Sequence, residues 1–249
     1  MKIALVAFSG HGKTSFMMSA LGKMAQTHFD GVSVDVINGN QVIDKKLLKD
    51  AYNALKRGDN SFIKATFTAK NYTVRIKLGT IRHNDIEITW MDYQGGNMID
   101  EANNETVRRW INDSDGAILL YDLSSHDDGQ EGVMALTVSS VMQKVNMKEN
   151  YPVVFAFTKK DLVGQSLIRN AIDLAKSRSR GIKNVEYIPV TAKEFPDTDV
   201  ALLTLLKMIT QVQCDDCYER IRELKRRMEG LSFFEKRDFK SRLKDYEDG

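Results

Sequence analysis

The chain is short of cysteine, with two in 249 residues. Two thiols cannot staple a disulfide scaffold, and such sparing use fits a reducing compartment. A charge bias is also missing: 36 basic against 34 acidic side chains leave a formal net charge of +2. That balance gives no electrostatic case for nucleic acid or an anionic membrane as partner. No apolar run approaches the length that spans a bilayer. The apolar start at residues 3–8 is too short for a secretory core segment and leads straight into a glycine-rich loop. A cytoplasmic protein with no transmembrane segment is the expectation. Internal repeats and low-complexity linkers are absent too. What remains is a chain 42% hydrophobic, enough for one substantial domain or one domain with a small appendage.

The loop reads Ala7-Phe8-Ser9-Gly10-His11-Gly12-Lys13-Thr14. It follows the apolar run 3–8 and precedes a helical pattern over 14–28, with Phe16, Met17, Leu21 and Met24 inward. A strand, a tight loop and a helix N-terminus are the parts of a phosphate site, because loop N–H groups and the helix dipole converge on an anion. Lys13 adds a point charge for the β- and γ-phosphates, and the Thr14 hydroxyl is a ligand for Mg²⁺. The pattern is G-x-x-x-x-G-K-[ST] with Ala7 at its first glycine. Ser9, Gly10, His11, Gly12, Lys13, Thr14 and Ser15 are the residues expected on the phosphates. His11 contributes through its backbone N–H rather than its ring.

Strand and helix patterns then alternate. Residues 32–37 read as a short strand and 43–55 as a helix with Ile43, Leu47, Leu48, Ala51 and Leu55 at helical spacing. Residues 72–81 and 85–92 read as two strands of a hairpin turning at Arg82-His83-Asn84-Asp85. Helices are expected over 98–112, 131–147 and 166–178, buried strands over 116–123, 153–158 and 185–190, and a last helix from about Asp199. Near-continuous apolar strands separated by helices argue an α/β fold, a mostly parallel sheet covered on both faces, with one antiparallel edge strand from the hairpin.

In an open parallel sheet, ligands bind beyond the carboxyl ends of the strands. Asp92-Tyr93-Gln94-Gly95 follows one strand: the acid can hold Mg²⁺ through its water shell, and the Gly95 backbone can reach a γ-phosphate. Thr158-Lys159-Lys160-Asp161 follows another. A carboxylate there accepts both N1–H and the 2-amino group of guanine, whereas adenine has no N1 donor. Thr191-Ala192-Lys193 follows a third, with backbone suited to guanine O6.

In that order and placement, Gly10-His11-Gly12-Lys13-Thr14, Asp92-x-x-Gly95, Thr158-Lys159-x-Asp161 and Thr191-Ala192-Lys193 resemble the P-loop GTPases of the Ras-like superfamily. The resemblance covers residues 1–212, which it makes the GTPase domain, a three-layer P-loop sandwich; residues 213–249 form a helical C-terminal extension. Within the superfamily the chain is most similar to prokaryotic small GTPases with a long segment on the switch-I side, here 29–71. The resemblance implies GTP and GDP as ligands, Mg²⁺ held by Thr14, a switch threonine and Asp92, hydrolysis of GTP with Lys13, Thr66 and Gly95 at the reacting phosphate, and a protein effector or activator. The switch threonine is Thr66, with Thr68 as alternative.

The chain departs from that pattern in one telling place. Where active relatives carry a glutamine that orients the attacking water, this chain has Gly96. Slow intrinsic hydrolysis is expected, and a binding-only scaffold is the rival reading. An ATP-using P-loop enzyme is a further rival, against which Asp161 speaks. Cys214 and Cys217 form a lone C-x-x-C without the second pair a zinc site needs. With Ile221, Leu224, Met228 and Leu231 they follow 3-4-3-4-3 spacing, an apolar stripe in which they serve as buried small hydrophobes, with a metal shared across a dimer as the alternative. The stripe folds back on its own domain, meets a partner or pairs with a second copy. Residues 214–249 carry ten basic and ten acidic side chains, the balance of a solvated helix face. Ser232-Phe233-Phe234-Glu235 is a capping box for a last short helix, with Phe239 and Leu243 inward. Trp90 is expected in the core, and Trp110 either there or against a partner.

Overall fold

The computed structural model describes residues 1–7, 12–26, 32–38, 41–43, 45–59, 70–78, 85–92, 109–125, 138–139, 150–193 and 196–229. In chain order the first elements are β1 (Ile3–Val6), α1 (Lys13–Gln26), β2 (Val32–Asn38), β3 (Gln41–Ile43) and α2 (Lys45–Lys56). Then come β4 (Lys70–Leu78), β5 (Asp85–Asp92), β6 (Gly116–Asp122) and β7 (Val153–Thr158). A 3-10 turn at Lys160–Leu162, α3 (Gln165–Arg178), β8 (Val185–Pro189) and α4 (Thr198–Glu229) complete the list. The chain divides into two compact units, Met1–Leu206 and Lys207–Gly249.

The first unit is an α/β fold built on a four-stranded, all-parallel sheet in the order β1-β6-β7-β8. Every residue of β1 and β7 is buried, as continuous apolar strands require when both faces are covered. Phe155 of β7 stacks on Tyr187 of β8 with ring centroids 5.3 Å apart. Phe157 meets Tyr121 edge to face at 5.8 Å. The same core takes in Ile111 and Tyr151, and Trp110 packs against it. Tyr151 is fully buried, so its hydroxyl needs a partner; it lies 2.6 Å from Ser114 Oγ, which donates to Ile111 O at 2.8 Å. Burial pushes the Tyr151 pKa up. On α1, the inward set Phe16, Met17, Leu21 and Met24 is buried.

A second sheet, antiparallel throughout, runs β3-β2-β4-β5. The hairpin strands expected over 72–81 and 85–92 are its β4 and β5. The expected single antiparallel edge strand is not shown: among the described residues no antiparallel strand is hydrogen-bonded to the parallel sheet. β5 nonetheless lies beside β1, with Cα atoms within 8 Å. Ile43, expected to open a helix, belongs to β3 and pairs with Val36, so α2 begins at Lys45. α2 ends where Gly58 takes φ +76°, a left-handed conformation that costs glycine little. Gly58 N–H then bonds Leu55 O at 2.9 Å and Asp59 N–H bonds Ala54 O at 2.9 Å, satisfying the last carbonyls.

In the second unit, Cys214 is exposed in the single chain. Its neighbours form short-range polar pairs, Gln211 Nε2 to Asp215 Oδ1 at 2.9 Å and Arg222 to Glu219 at 2.7 Å, which suits a solvated helix surface. The capping box at 232–235, Phe239 and Leu243 lie outside the described residues. So do most of the expected helices 98–112 and 131–147 and the side chain of Trp90. No described helix is long and apolar enough to cross a membrane.

Candidate functional site

The site begins where β1 gives way to α1. Gly12 has φ +81°, a conformation strained for any residue with a Cβ, and its carbonyl accepts the first helical bond from Phe16 N–H at 2.7 Å. That geometry starts α1 directly at Lys13. Lys13 is only 8% exposed, unusual for a lysine, and its Nζ donates to Ala7 O at 3.3 Å, back across the loop to the end of β1. Thr14 and Ser15 follow in the first helical turn, half-buried. Ser9, Gly10 and His11 lie outside the described residues.

The second piece follows β7. Thr158 is buried and its Oγ1 donates to Tyr121 O at 3.3 Å. Lys159 adopts φ 60°, the left-handed region, which turns the chain sharply out of the strand and into the 3-10 turn that carries Asp161. The Lys159 ammonium is held from below: Nζ lies 2.5 Å from Asp122 Oδ2 and 3.3 Å from Ser124 Oγ. Asp122, at the end of β6, is 3% exposed. Its burial raises its pKa, but the Lys159 ammonium and the Ser124 hydroxyl and amide outweigh burial and hold the carboxyl below its ordinary value. Asp161 itself is exposed.

The third piece follows β8. Thr191 N–H donates to Asp197 Oδ1 at 2.7 Å, and Lys193 N–H donates to Thr191 Oγ1 at 3.2 Å. Two of the three amides in Thr191-Ala192-Lys193 are thus engaged within the protein. Ala192 N–H is the one left to a ligand among the described residues.

These three pieces line one cleft of about 220 Å³. Its walls are Gly12, Ser15 and Phe16 from the start of α1, Thr158, Lys159, Asp161 and Leu162 after β7, and Thr191, Ala192, Lys193 and Thr198 after β8. Sites for whole drug-sized ligands run to about 300–1,000 Å³, so this cleft suits one planar end of a ligand. Lys13 and Thr14 sit beside it at the start of α1. Asp92 is the last residue of β5, the strand beside β1, and nothing is described of its side chain. Thr66, Thr68, Gly95 and Gly96 lie outside the described residues. Among the described residues no group of three or more His, Cys, Asp or Glu side chains gathers as for a metal.

The sequence reading missed four participants: Asp122 and Ser124 under Lys159, and Lys160 and Asp197 beside Thr191. Asp122 was within reach, since it ends an apolar strand as Asp92 does. Asp197 had no such signal, because its role depends on how a loop folds back on Thr191.

No family model matches the sequence, and no curated protein matches it. Among solved structures, the chain is similar to the crystal structure of a mutation variant of SsGBP, with a TM-score of 0.44 and 17% identity over 85% of this chain. The match spans 56% of the length of that protein, and a likeness of this degree carries no argument.

Proposed function

We propose that this chain is a guanine-nucleotide switch of P-loop GTPase architecture that binds GTP and GDP and hydrolyses Mg-GTP slowly. The observation that carries the reading is the meeting of three strand-end segments in one cleft: Gly12 to Phe16, Thr158 to Asp161, and Thr191 to Lys193. In this reading Asp161 accepts from guanine N1–H and the 2-amino group, and Ala192 N–H donates to O6. The stem of Lys159 lies along the base while Asp122 holds its ammonium. Beside them, Lys13 and the amides at the start of α1 take the phosphates.

The donor set fits a triphosphate with its metal. A buried ammonium, a hydroxyl at the second helical position and a positive-φ glycine stand together at one helix N-terminus. Mg²⁺ asks for few protein ligands here, because phosphate and water oxygens fill most of its shell. Thr14, Thr66 and, through water, Asp92 would hold it; when bound it neutralises charge between the β- and γ-phosphates. Lys13 stabilises charge on the transferring oxygens, and the Gly95 amide contacts the γ-phosphate. Phosphoryl transfer relies on positioning and electrostatics, so these groups support weak turnover even with Gly96 where a water-orienting side chain would stand. Loss of the γ-phosphate would release the segments holding Thr66 and Gly95, the signal an effector reads.

Equilibrium binding of GTP, GDP and ATP, followed by single-turnover hydrolysis of Mg-GTP, tests this. The expected result is tight binding of both guanine nucleotides, little of ATP, and turnover far below the ~1–100 s⁻¹ of kinases. ATP bound as well as GTP would overturn the guanine assignment. Guanine binding without turnover would favour the scaffold reading that Gly96 supports.

A further inference from the structure

The loop that carries Ala192 is tied down by a residue outside the cleft. Asp197 Oδ1 accepts Thr191 N–H at 2.7 Å, and Asp197 N–H donates to Thr191 O at 3.1 Å, closing a ring across residues 191–197. Its other oxygen takes the Lys160 ammonium. Lys160 precedes Asp161 on the 3-10 turn; its Nζ also donates to Pro189 O at 3.3 Å, and its N–H to Val190 O at 3.3 Å. One carboxylate therefore joins the loop after β8 to the loop after β7.

We propose that Asp197 is a positioning residue that fixes Ala192 N–H against Asp161, so that the O6 and 2-amino edges of guanine are read together. This rests on the guanine-nucleotide reading above. Asp197 is absent from the cleft wall, so it acts through Thr191 and Lys160 rather than on the ligand. Of its two links, the one to Thr191 dominates. The side chains of Lys160 and Asp197 are 32% and 28% exposed, and solvent screens an ion pair in that setting. A 2.7 Å amide bond to a carboxylate is charge-assisted and fixes backbone directly. Consuming the Thr191 amide also leaves Ala192 as the sole donor of the three for O6.

The test uses the full chain with Asp197→Ala, Asp197→Asn and Lys160→Met. Two readouts are taken: hydrogen exchange at the Thr191 amide without nucleotide, and binding of three diphosphates. These are GDP, its inosine analogue lacking the 2-amino group, and its 2-aminopurine analogue lacking O6 and with it the N1 hydrogen, so that only the O6 share of the second preference, the share given by Ala192, should respond to Asp197. Asp197→Ala should speed exchange at Thr191 about tenfold and cut the preference for GDP over the 2-aminopurine analogue about tenfold. The preference for GDP over the inosine analogue, which belongs to Asp161, should stay within about twofold. Asp197→Asn keeps an acceptor for Thr191 and should restore most of both, and Lys160→Met should leave Thr191 exchange near the parent. Unchanged exchange in Asp197→Ala would overturn the inference. So would an equal loss for all three ligands, or an Asn variant as impaired as Ala. A parent protein that binds none of the three would sink the nucleotide reading instead, while exchange at Thr191 would still decide whether the clamp exists.

Discussion

The two sheets of the first unit differ in what their sequences say and in what they do. β6 and β7 read Gly-Ala-Ile-Leu-Leu-Tyr-Asp and Val-Val-Phe-Ala-Phe-Thr, apolar almost throughout and buried almost throughout. β4 and β5 alternate instead, and their register sets Tyr72 opposite Trp90, Val74 opposite Ile88 and Ile76 opposite Ile86. The alternate row sets Arg75 opposite Glu87 on one side and Asp35 of β2 on the other. A continuous apolar strand belongs to a sheet covered on both faces, and alternation to a sheet whose faces differ. The parallel sheet delivers the loops that line the cleft. The antiparallel sheet ends in β5, which lies beside β1 and has Asp92 as its last residue. Stability and ligand binding should therefore respond to different residues in the two.

Phe155→Ala should have the largest effect on folding. It removes a side chain 1% exposed and stacked on Tyr187, a loss of about 3–5 kcal/mol that a urea titration reads as a lower midpoint. Lys13→Ala should spare the midpoint and weaken GDP binding by roughly 1.5–3 kcal/mol, the worth of a charge-assisted contact. In the antiparallel sheet the pattern should invert. Arg75→Glu sets like charges opposite Glu87 and Asp35 and should lower stability by about 1 kcal/mol, with GDP affinity unchanged. A large loss of affinity from Arg75→Glu would break the division of labour.

The smallest expected effect is a change in acid tolerance. The Asp122 pKa is lowered in the folded protein, so its ionised form stabilises the fold. That stability is fully present above the unfolded carboxylate pKa of about 3.9 and is lost as pH falls through the folded value. Asp122→Asn should be less stable than the parent at neutral pH and should show a flatter decline below pH ~4. An identical decline in parent and variant would mean that Lys159 is not held by this carboxylate.

Much of the fold was legible because burial on two faces leaves an unmistakable apolar run. The parallel strands at 116–123, 153–158 and 185–190 were read within a residue or two of their observed bounds. The sheet at 32–43 was read less well. Ile43 fits the helical spacing of Leu47, Ala51 and Leu55, and that periodicity hid β3. The better signal was Gly39-Asn40 between paired Asn38 and Gln41, a composition that favours a two-residue hairpin. Alternation alone did not show that the hairpin strands would join β2 and β3 in a sheet of their own, because sheet membership depends on long-range pairing. In the site, Lys159 and Asp161 were found from their place after an apolar strand. Lys160 and Asp197 were not, since the contact between them spans 37 residues and no spacing rule encodes it. For Cys214 the 3-4 stripe records periodicity on one helix and says nothing of what covers it.

The most direct test of the account is the nucleotide preference of Asp161→Asn. The substitution replaces an acceptor-only carboxylate with an amide that also donates, in a position the account assigns to guanine N1 and the 2-amino group. Isothermal titration of the parent and the variant with GDP and with xanthosine diphosphate measures it. The account predicts that the parent prefers GDP, that the variant loses GDP affinity by on the order of a thousandfold, and that it gains affinity for the xanthine nucleotide. A variant that binds GDP as the parent does, with no gain for xanthine, would contradict it.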